Sequence, residues 1–439
     1  MKHQLFFELL KTAIGQRKVL SAVPSAKEWE AIYGLLSKHT LLGIGYVAIQ
    51  KLPREQWPPK MLVLKWTSVA TTISHQNKTL NEECKSLCEE FRHDGVASVV
   101  IKGQSNLENY PEELRWYRTP GDIDLWCQAR NGVEIGEMVN GKMVKSEFHG
   151  IAGVIEYCKQ YERCRGRDIP WHRVLYYHCE LKSDNGIAIE PHYRISYLHS
   201  PVRNHRLQKW FKNKFDVCLQ NKCSLGFPVL TSSLNVVYQL VHLYRHVFEG
   251  GIGLRQLMDY YFALRVWHND MMECKDLQTQ GMWSEGLGTP VMSKEEVMTV
   301  IRSFGMGKFA AAVMWVLNEV FENEGWRFKD EGCTEADDGG EQVLITDERL
   351  MITDCPWLLC EPNEKEGKKL LVEIMHGGNF GQYDTRDAAL KKGGMMKHGL
   401  WKLKRVMRLV SSYPEEALWE PVFRLWHLGW RRIIDYELQ

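Results

Sequence analysis

The size and charge of the chain limit the kinds of protein it can be. Its 439 residues are enough for two or three domains with hydrophobic cores, and 44% hydrophobic with 25% charged residues is typical of a folded globular protein. A net charge of +1 argues against a protein that coats nucleic acid through a strongly basic surface, so a nucleic-acid partner is not favoured.

The beginning of the sequence and its cysteines predict a cytoplasmic location. The first 18 residues lack the apolar core and cleavage site of a signal peptide and instead form an amphipathic helical pattern. No window approaches 18 consecutive apolar residues, so no membrane partner is expected. The 12 cysteines are scattered without a CxxC pair, which is typical of reduced thiols in the cytosol.

The first part of the chain, residues 1–92, is predicted to be helical. Residues 26–52 and 57–92 carry apolar side chains at helical spacing, with a proline-containing break between them. The pattern then changes. The β-branched run at 96–101 predicts a buried strand, and the apolar run at 121–127 predicts a second one.

The middle of the chain is predicted to contain both helix and strand. Residues 131–165 are predicted to be mainly helical, and two strands are expected at 174–181 and 186–192. The dipeptide Asn185-Gly186 between these strands is a strong signal for a hairpin turn. Residues 93–200 therefore form an α+β segment with a mixed sheet.

The remainder, residues 201–439, is predicted to be a helical domain. Apolar side chains recur with a period near 3.6 over 231–268, and helical spacing returns at 293–323. The acidic, glycine-containing residues near 322–348 predict a mobile, solvated loop. The basic stretch at 386–409 predicts a solvated helix face, with a phosphate or nucleic-acid contact as the alternative.

Two aspartates in the second predicted strand are the strongest functional signal. Side chains alternate between the faces of a strand, so Asp122 and Asp124 are expected to project from the same face. A divalent cation relieves the repulsion between two such carboxylates, and Mg²⁺ is commonly held by one or two carboxylates together with substrate phosphates. The pair therefore predicts a metal site.

Residues around this pair extend the prediction. The first strand ends in Lys102-Gly103, where a glycine permits close approach of the backbone and a following helix start offers N–H groups to phosphate. Glu190 alternates with apolar residues in the last predicted strand and is expected to join the two aspartates. Three carboxylates of this kind suit two divalent ions, one activating a hydroxyl and one neutralising a leaving pyrophosphate.

The chain resembles the uncharacterised bacterial nucleotidyltransferase family of the DNA polymerase beta-like superfamily. The resemblance rests on Lys102-Gly103, Tyr110-Pro111, Arg118 and Gly121-Asp122-Ile123-Asp124-Leu125, with Glu190 at the third acidic position. Residues 240–246, 253–259 and 413–419 are also similar to family segments, so the resemblance covers most of residues 30–430. It implies a small mixed-sheet nucleotidyltransferase core flanked by helical N- and C-terminal regions.

The sequence departs from the superfamily pattern at the glycine turn. The common turn is Gly-Ser or Gly-Gly, whereas this chain has Gly103-Gln104 with Ser105 one place further on. The interval from Gly103 to Asp122 is also long. Both departures concern the phosphate-binding residues and leave the two aspartates unchanged.

The resemblance gives each candidate residue an expected role. Metal ligands and catalytic residues are Asp122, Asp124 and Glu190, with two Mg²⁺ ions expected and Mn²⁺ as the alternative. The nucleotide is expected to contact Lys102, Gly103, Ser105, Arg118 and Gly121. Lys102 offers a point charge to phosphate and Arg118 a planar guanidinium, while a salt bridge is the alternative for each.

Several histidines and one charge pair remain open. His178 and His192 are expected either to line the site or to be satisfied core histidines. His242 and His246 have a spacing that can bind zinc, but the sequence offers no third ligand. Arg255 and Asp259 are expected to form a salt bridge one helical turn apart.

The predicted function is Mg²⁺-dependent transfer of a nucleoside monophosphate from an NTP to a hydroxyl acceptor. Two alternatives remain. One is a metal-dependent glycosyltransferase that uses Asp-x-Asp, which is disfavoured because it requires a larger parallel sheet. The other is a catalytically degenerate nucleotidyltransferase fold that binds a partner. The sequence does not specify the acceptor or the base, because a fold does not determine them.

Overall fold

A computed structural model describes residues 3–139, 142–279, 291–322, 355–386, 390 and 394–437. The acidic loop predicted near 322–348 lies outside these residues except for Glu322, and so do Lys391 and Lys392 of the basic stretch. In the described part of the chain, helices surround one five-stranded sheet, which agrees with the predicted α+β class.

The N-terminal region is helical as predicted. Its helices are α1 (Gln4–Ala13), α2 (Ala26–Lys38), α3 (Leu42–Lys51) and the long α4 (Lys60–His93). Helix α2 begins in a capping box in which Ser25 and Glu28 satisfy each other's backbone N–H groups. Helix α4 packs directly against the first strand of the sheet and leads the chain into it.

The sheet is built from segments that are distant in sequence. Strand β1 (Val96–Val100) is followed by a 3-10 helix at Gly103–Asn109 and the short helix α5 (Glu112–Arg115). The remaining strands are β2 (Ile123–Val139), β3 (Lys142–His149), β4 (Leu181–Lys182) and β5 (Ala188–His192), with helix α6 (Gly150–Arg163) after β3.

The sheet is mixed, and β2 is its central strand. The strand order is β1-β2-β5-β4, with β3 paired to the second half of β2. Strand β2 runs antiparallel to β1 and parallel to β5. The hairpin predicted at Asn185-Gly186 is confirmed, with β4 and β5 antiparallel, but β4 has only two residues rather than eight.

The prediction of helix for residues 131–165 is wrong in its first half. Residues 131–139 continue β2, and 142–149 form β3 in antiparallel register with it. Only the second half is helical, as α6. Strand pairing supplies the stabilisation here, since seven residues of β2 lie opposite partners in β3.

The C-terminal region is helical as predicted. Its helices are α7 (Pro201–Phe211), α8 (Phe215–Gln220), α9 (Ser232–Glu249), α10 (Leu254–Thr279), α11 (Lys294–Ser303), α12 (Gly307–Phe321), α13 (Glu364–Gly377), α14 (Met395–Leu409) and α15 (Pro414–Glu437). None of the helices in the described residues is long and apolar enough to cross a membrane.

Two hydrophobic cores position the functional face of the sheet. The smaller core joins α4 and α6 to Ile123 and Leu125 of β2 and Ile189 of β5. The larger core is formed mainly by helices and includes Trp126. Because strand side chains alternate, Asp124 and Glu190 lie on the face opposite the smaller core.

Candidate active site

Three carboxylates meet on the open face of β2 and β5. Asp124 and Glu190 are direct partners in the parallel ladder between these strands, and Asp122 lies just before β2 begins. One oxygen from each residue lies within 4.8 Å of the others, which suits a metal ion. Glu190 reaches the aspartates from β5, the parallel neighbour of β2.

The cluster of three carboxylates is partly buried, and its hydrogen bonding is incomplete within the described residues. Asp124 is fully buried, and its Oδ2 atom has no hydrogen-bond partner in the part of the chain that the structure describes. Asp122 and Glu190 are half-buried. A buried carboxylate oxygen without a partner is costly, because it loses its hydration and receives no protein donor in exchange. The oxygen donors and the unpaired Oδ2 fit a divalent cation.

Lys102 supplies the positive charge at this group. Its Nζ lies 2.9 Å from Asp124 Oδ1, 3.9 Å from Asp122 Oδ2 and 4.0 Å from Glu190 Oε2. Burial alone would lower the pKa of Lys102, but the three carboxylates outweigh burial and raise that pKa well above its ordinary value. Lys102 is therefore charged at neutral pH.

Glu190 is ionised at neutral pH for the complementary reason. Burial would raise the pKa of its carboxyl, but the charge of Lys102 and a hydrogen bond from His192 outweigh burial and lower it. The cluster of three carboxylates therefore carries negative charge, which would stabilise a cation or a polarised hydroxyl.

Two histidines lie against these carboxylates. His192 Nε2 is 3.0 Å from Asp124 Oδ1 and 3.5 Å from Glu190 Oε2. Burial would lower the pKa of His192, but the hydrogen bonds to both carboxylates raise it. Burial, and then the neighbouring His192, lower the pKa of His178 well below its usual value. Of the two alternatives that the sequence left open for His178 and His192, the structure shows the one in which they line the site.

The glycine turn brings the end of β1 against the start of β2. Gly103 has φ of +64°, and a Cβ there would meet the carbonyl oxygen of Asp122 at 3.3 Å. The left-handed conformation and the close approach both favour glycine. The helix expected to follow this glycine is a 3-10 helix that begins at Gly103 itself.

Arg118 is held by a buried carboxylate. Its Nε and Nη2 atoms lie 2.6 Å and 2.8 Å from Asp259 Oδ1 and Oδ2, and the Tyr110 hydroxyl donates to the same carboxylate at 2.7 Å. The predicted Arg255–Asp259 pair is wrong, because Asp259 binds Arg118 and Arg255 donates to the Thr119 carbonyl at 2.8 Å. The expected phosphate contact of Arg118 stays a prediction, and the structure shows the salt-bridge alternative.

A family match covers the region that contains all of these residues. The family described as uncharacterised nucleotidyltransferase matches residues 25–280.

The chain belongs to this nucleotidyltransferase family.

The membership predicted from Asp122, Asp124 and the flanking residues is thereby confirmed. No curated protein and no solved structure gives a significant match. The family match ends before α11, so the family-like segment at 413–419 lies outside it.

Four of the residues expected to contact a nucleotide share a small cavity. Lys102, Gly103, Arg118 and Gly121 line it together with Asp122. Ser105 does not; it lines a larger neighbouring cleft with residues of α8 and the start of α9. The structure therefore separates Ser105 from the other expected phosphate contacts.

The same cavity also contains residues outside the predicted site. Tyr238, Gln239 and Gln256 reach it from α9 and α10, and Phe380 reaches it from the loop after α13. Phe380 has φ of +50° and packs against the ring of His246 with centroids 5.1 Å apart. No local signal marks these residues, because long-range packing brings them to the sheet.

Proposed function

We propose that the protein is an Mg²⁺-dependent nucleotidyltransferase that moves a nucleoside monophosphate from an NTP to a hydroxyl acceptor and releases pyrophosphate. The observation that carries the proposal is the meeting of Asp122, Asp124 and Glu190 within 4.8 Å on one sheet face in a chain of a nucleotidyltransferase family. The buried Oδ2 of Asp124, which has no hydrogen-bond partner among the described residues, supports cation binding at that position.

The acidic residues have distinct tasks in this proposal. Asp122 and Asp124 would hold two Mg²⁺ ions, which when bound acidify the acceptor hydroxyl and neutralise the pyrophosphate. Glu190 would accept the proton of the acceptor hydroxyl, a role supported by its position opposite Asp124 in the ladder. Mn²⁺ suits the same oxygen donors.

Lys102 and Gly103 would bind the triphosphate. The Lys102 ammonium lies among the three carboxylates and would turn to the phosphate oxygens once divalent cations neutralise those carboxylates. Gly103 allows the backbone to approach the ligand closely at the turn. Arg118 is expected to fix the chain leading to Gly121, since Asp259 holds its guanidinium.

A nucleotide-binding protein without transferase activity is the second candidate. The observation that favours it is the position of Lys102 Nζ, 2.9 Å from Asp124, because an ammonium there partly replaces a metal ion. Under this candidate, NTP binds but no acceptor is modified. The non-standard Gly103-Gln104 turn is consistent with the same candidate.

The test is calorimetric titration of the protein with each of the four NTPs, with and without Mg²⁺. The variant is Asp122→Asn, because Asp122 is half-exposed and its replacement leaves the strand ladder intact. The matched control is Asp184→Asn, an exposed aspartate in the nearby hairpin turn. We expect Mg²⁺-dependent binding that the first variant loses and the second keeps.

Turnover separates the two candidates. The protein is incubated with the NTP it binds and with a panel of hydroxyl compounds, and pyrophosphate release is measured. Release that depends on Mg²⁺ and on Asp122 supports the transferase. Binding with no release across the panel supports the second candidate, and equal NTP binding by wild type and Asp122→Asn would reject the assigned site.

A further inference from the structure

A second group of potential metal ligands adjoins the three carboxylates. His178, Glu190 and His192 each offer one ligand atom within 4.8 Å of the others. Glu190 Oε2 lies 3.8 Å from His178 Nδ1 and 3.5 Å from His192 Nε2. Ligand atoms in a tetrahedral site with bonds of about 2.1 Å lie about 3.4 Å apart, so only small side-chain shifts are needed to complete such a site.

An unpaired buried imidazole points independently to a ligand. His178 is 2% exposed, and among the described residues neither of its ring nitrogens has a hydrogen-bond partner. Leaving such a group unsatisfied is costly, because it loses its hydration without gaining a partner. His192 Nδ1 is likewise buried without a partner in the described part of the chain. A bound cation would satisfy a ring nitrogen of His178.

The surroundings orient both rings. The Tyr177 ring packs edge-on against His178 and His192, with centroids 4.1 Å and 5.3 Å away. The two imidazoles are themselves 4.9 Å apart between centroids. Packing of this kind holds ligands in place before the metal arrives, which lowers the cost of forming the site.

The donor set determines the class of metal. Mg²⁺ prefers oxygen ligands, whereas imidazole nitrogen suits zinc and other divalent transition metals. We propose that His178, His192 and Glu190 form a transition-metal site, with Zn²⁺ as the expected ion, beside the oxygen-only group of Asp122 and Asp124. The site does not depend on the proposed reaction, because metal would bind even if no NTP were used.

Metal binding at His192 replaces a hydrogen bond. In the structure His192 Nε2 lies 3.0 Å from Asp124 Oδ1. A metal bond uses the lone pair of that nitrogen, so the hydrogen bond to Asp124 is given up when metal binds. Glu190 belongs to both ligand groups, and the transition-metal site is therefore joined to the acidic group through one carboxylate.

The experiment uses Co²⁺ as a visible probe of the full-length protein. Wild type, His178→Ala and His242→Ala are titrated with Co²⁺, and the intense absorption of low-coordinate Co²⁺ is recorded. His242 is the matched control, because it lies near the site on α9 but in neither ligand group. We expect wild type and His242→Ala to show the absorption, His178→Ala to lose it, and Zn²⁺ but not excess Mg²⁺ to abolish it.

Three results would overturn the proposal: no absorption in wild type, equal loss in His242→Ala, or displacement by Mg²⁺ as readily as by Zn²⁺. Thermal melting checks that each variant is folded. If His178→Ala is unfolded, His178→Gln replaces it, and histidine ring NMR of the wild type decides the matter: Zn²⁺ must shift the signals of two histidines. Mg²⁺-dependent NTP binding is measured on the same preparations, so failure of either proposal is visible separately.

Discussion

The buried contact between Arg118 and Asp259 gives a sharp prediction about stability. The guanidinium and carboxylate are 3% and 4% exposed and share two hydrogen bonds, and Tyr110 adds a third to the same carboxylate. The contact joins the segment before β2 to helix α10. Asp259→Asn removes the charge and leaves the guanidinium buried with a neutral partner.

We expect this change to lower the free energy of unfolding by about 3–5 kcal/mol, since a buried charge without its partner is not solvated. Urea unfolding followed by far-UV circular dichroism gives the measurement. The control is Glu82→Gln, which breaks an ion pair with Lys85 whose side chains are 70% and 37% exposed. That exposed pair is expected to contribute about 1 kcal/mol or less.

A double variant distinguishes charge burial from general disruption of packing. Arg118→Met/Asp259→Leu removes both charges and keeps apolar volume, so it is expected to lose less stability than Asp259→Asn. The reasoning is refuted if Asp259→Asn costs no more than Glu82→Gln. It is also refuted if the double variant is as unstable as the single one.

Three further predictions concern Lys102, the glycine turn and a buried acidic residue of the C-terminal region. Lys102→Met removes the charge at the carboxylates, so Mn²⁺ without nucleotide should bind at least about tenfold more tightly and NTP more weakly in calorimetry. Gly103→Ala forces a side chain into left-handed backbone close to the Asp122 carbonyl, and urea unfolding should show a loss of about 1–2 kcal/mol. Burial would raise the pKa of Asp384, but hydrogen bonds from Arg386 outweigh it and lower the pKa from 3.8 to about 2. Its contribution to stability is therefore present above about pH 3.8 and lost as the pH falls towards 2, so the stability difference between wild type and Asp384→Asn should disappear over that window.

Each of these predictions has an opposing outcome. Unchanged Mn²⁺ affinity in Lys102→Met would mean that the ammonium does not compete with metal. Wild-type stability in Gly103→Ala would mean that the turn relaxes freely. If the difference in stability between wild type and Asp384→Asn is constant from pH 6 to pH 2, the ion pair with Arg386 is not its cause.

The sequence was informative where a local pattern sufficed. The β-branched run ending at Val100, the Asp122 and Asp124 strand and the Asn185-Gly186 turn are all found close to their predicted positions. Each depends on side-chain alternation or turn chemistry within a few residues. The roles assigned to the acidic residues stay predictions until metal and nucleotide binding are measured.

The features that differ from prediction have two causes. Strand β3 had a local signal in the sequence, since Asn140-Gly141, the same dipeptide that located the other hairpin, lies between 131–139 and 142–149. The other differences depend on long-range packing. The partner of Asp259 could not be read from helical spacing, because Arg118 is 141 residues away. Phe380 reaches the cavity from the far end of the chain, and no spacing rule connects it to Gly103.

The pairing of β2 with β5 sets the distance between Asp124 and Glu190, whatever the length of the chain that connects the two strands. Asp124 and Glu190 are adjacent across one backbone ladder, yet β3, α6 and the following loop intervene in sequence. Because the entropy of a connecting loop grows slowly with its length, an insertion at an exposed turn between the two strands should leave the spacing of the carboxylates unchanged. The exposed turn at Gly166, directly after α6, is therefore a natural place to graft a fluorescent or affinity module, because it precedes Tyr177 and His178, which lie beside the acidic residues.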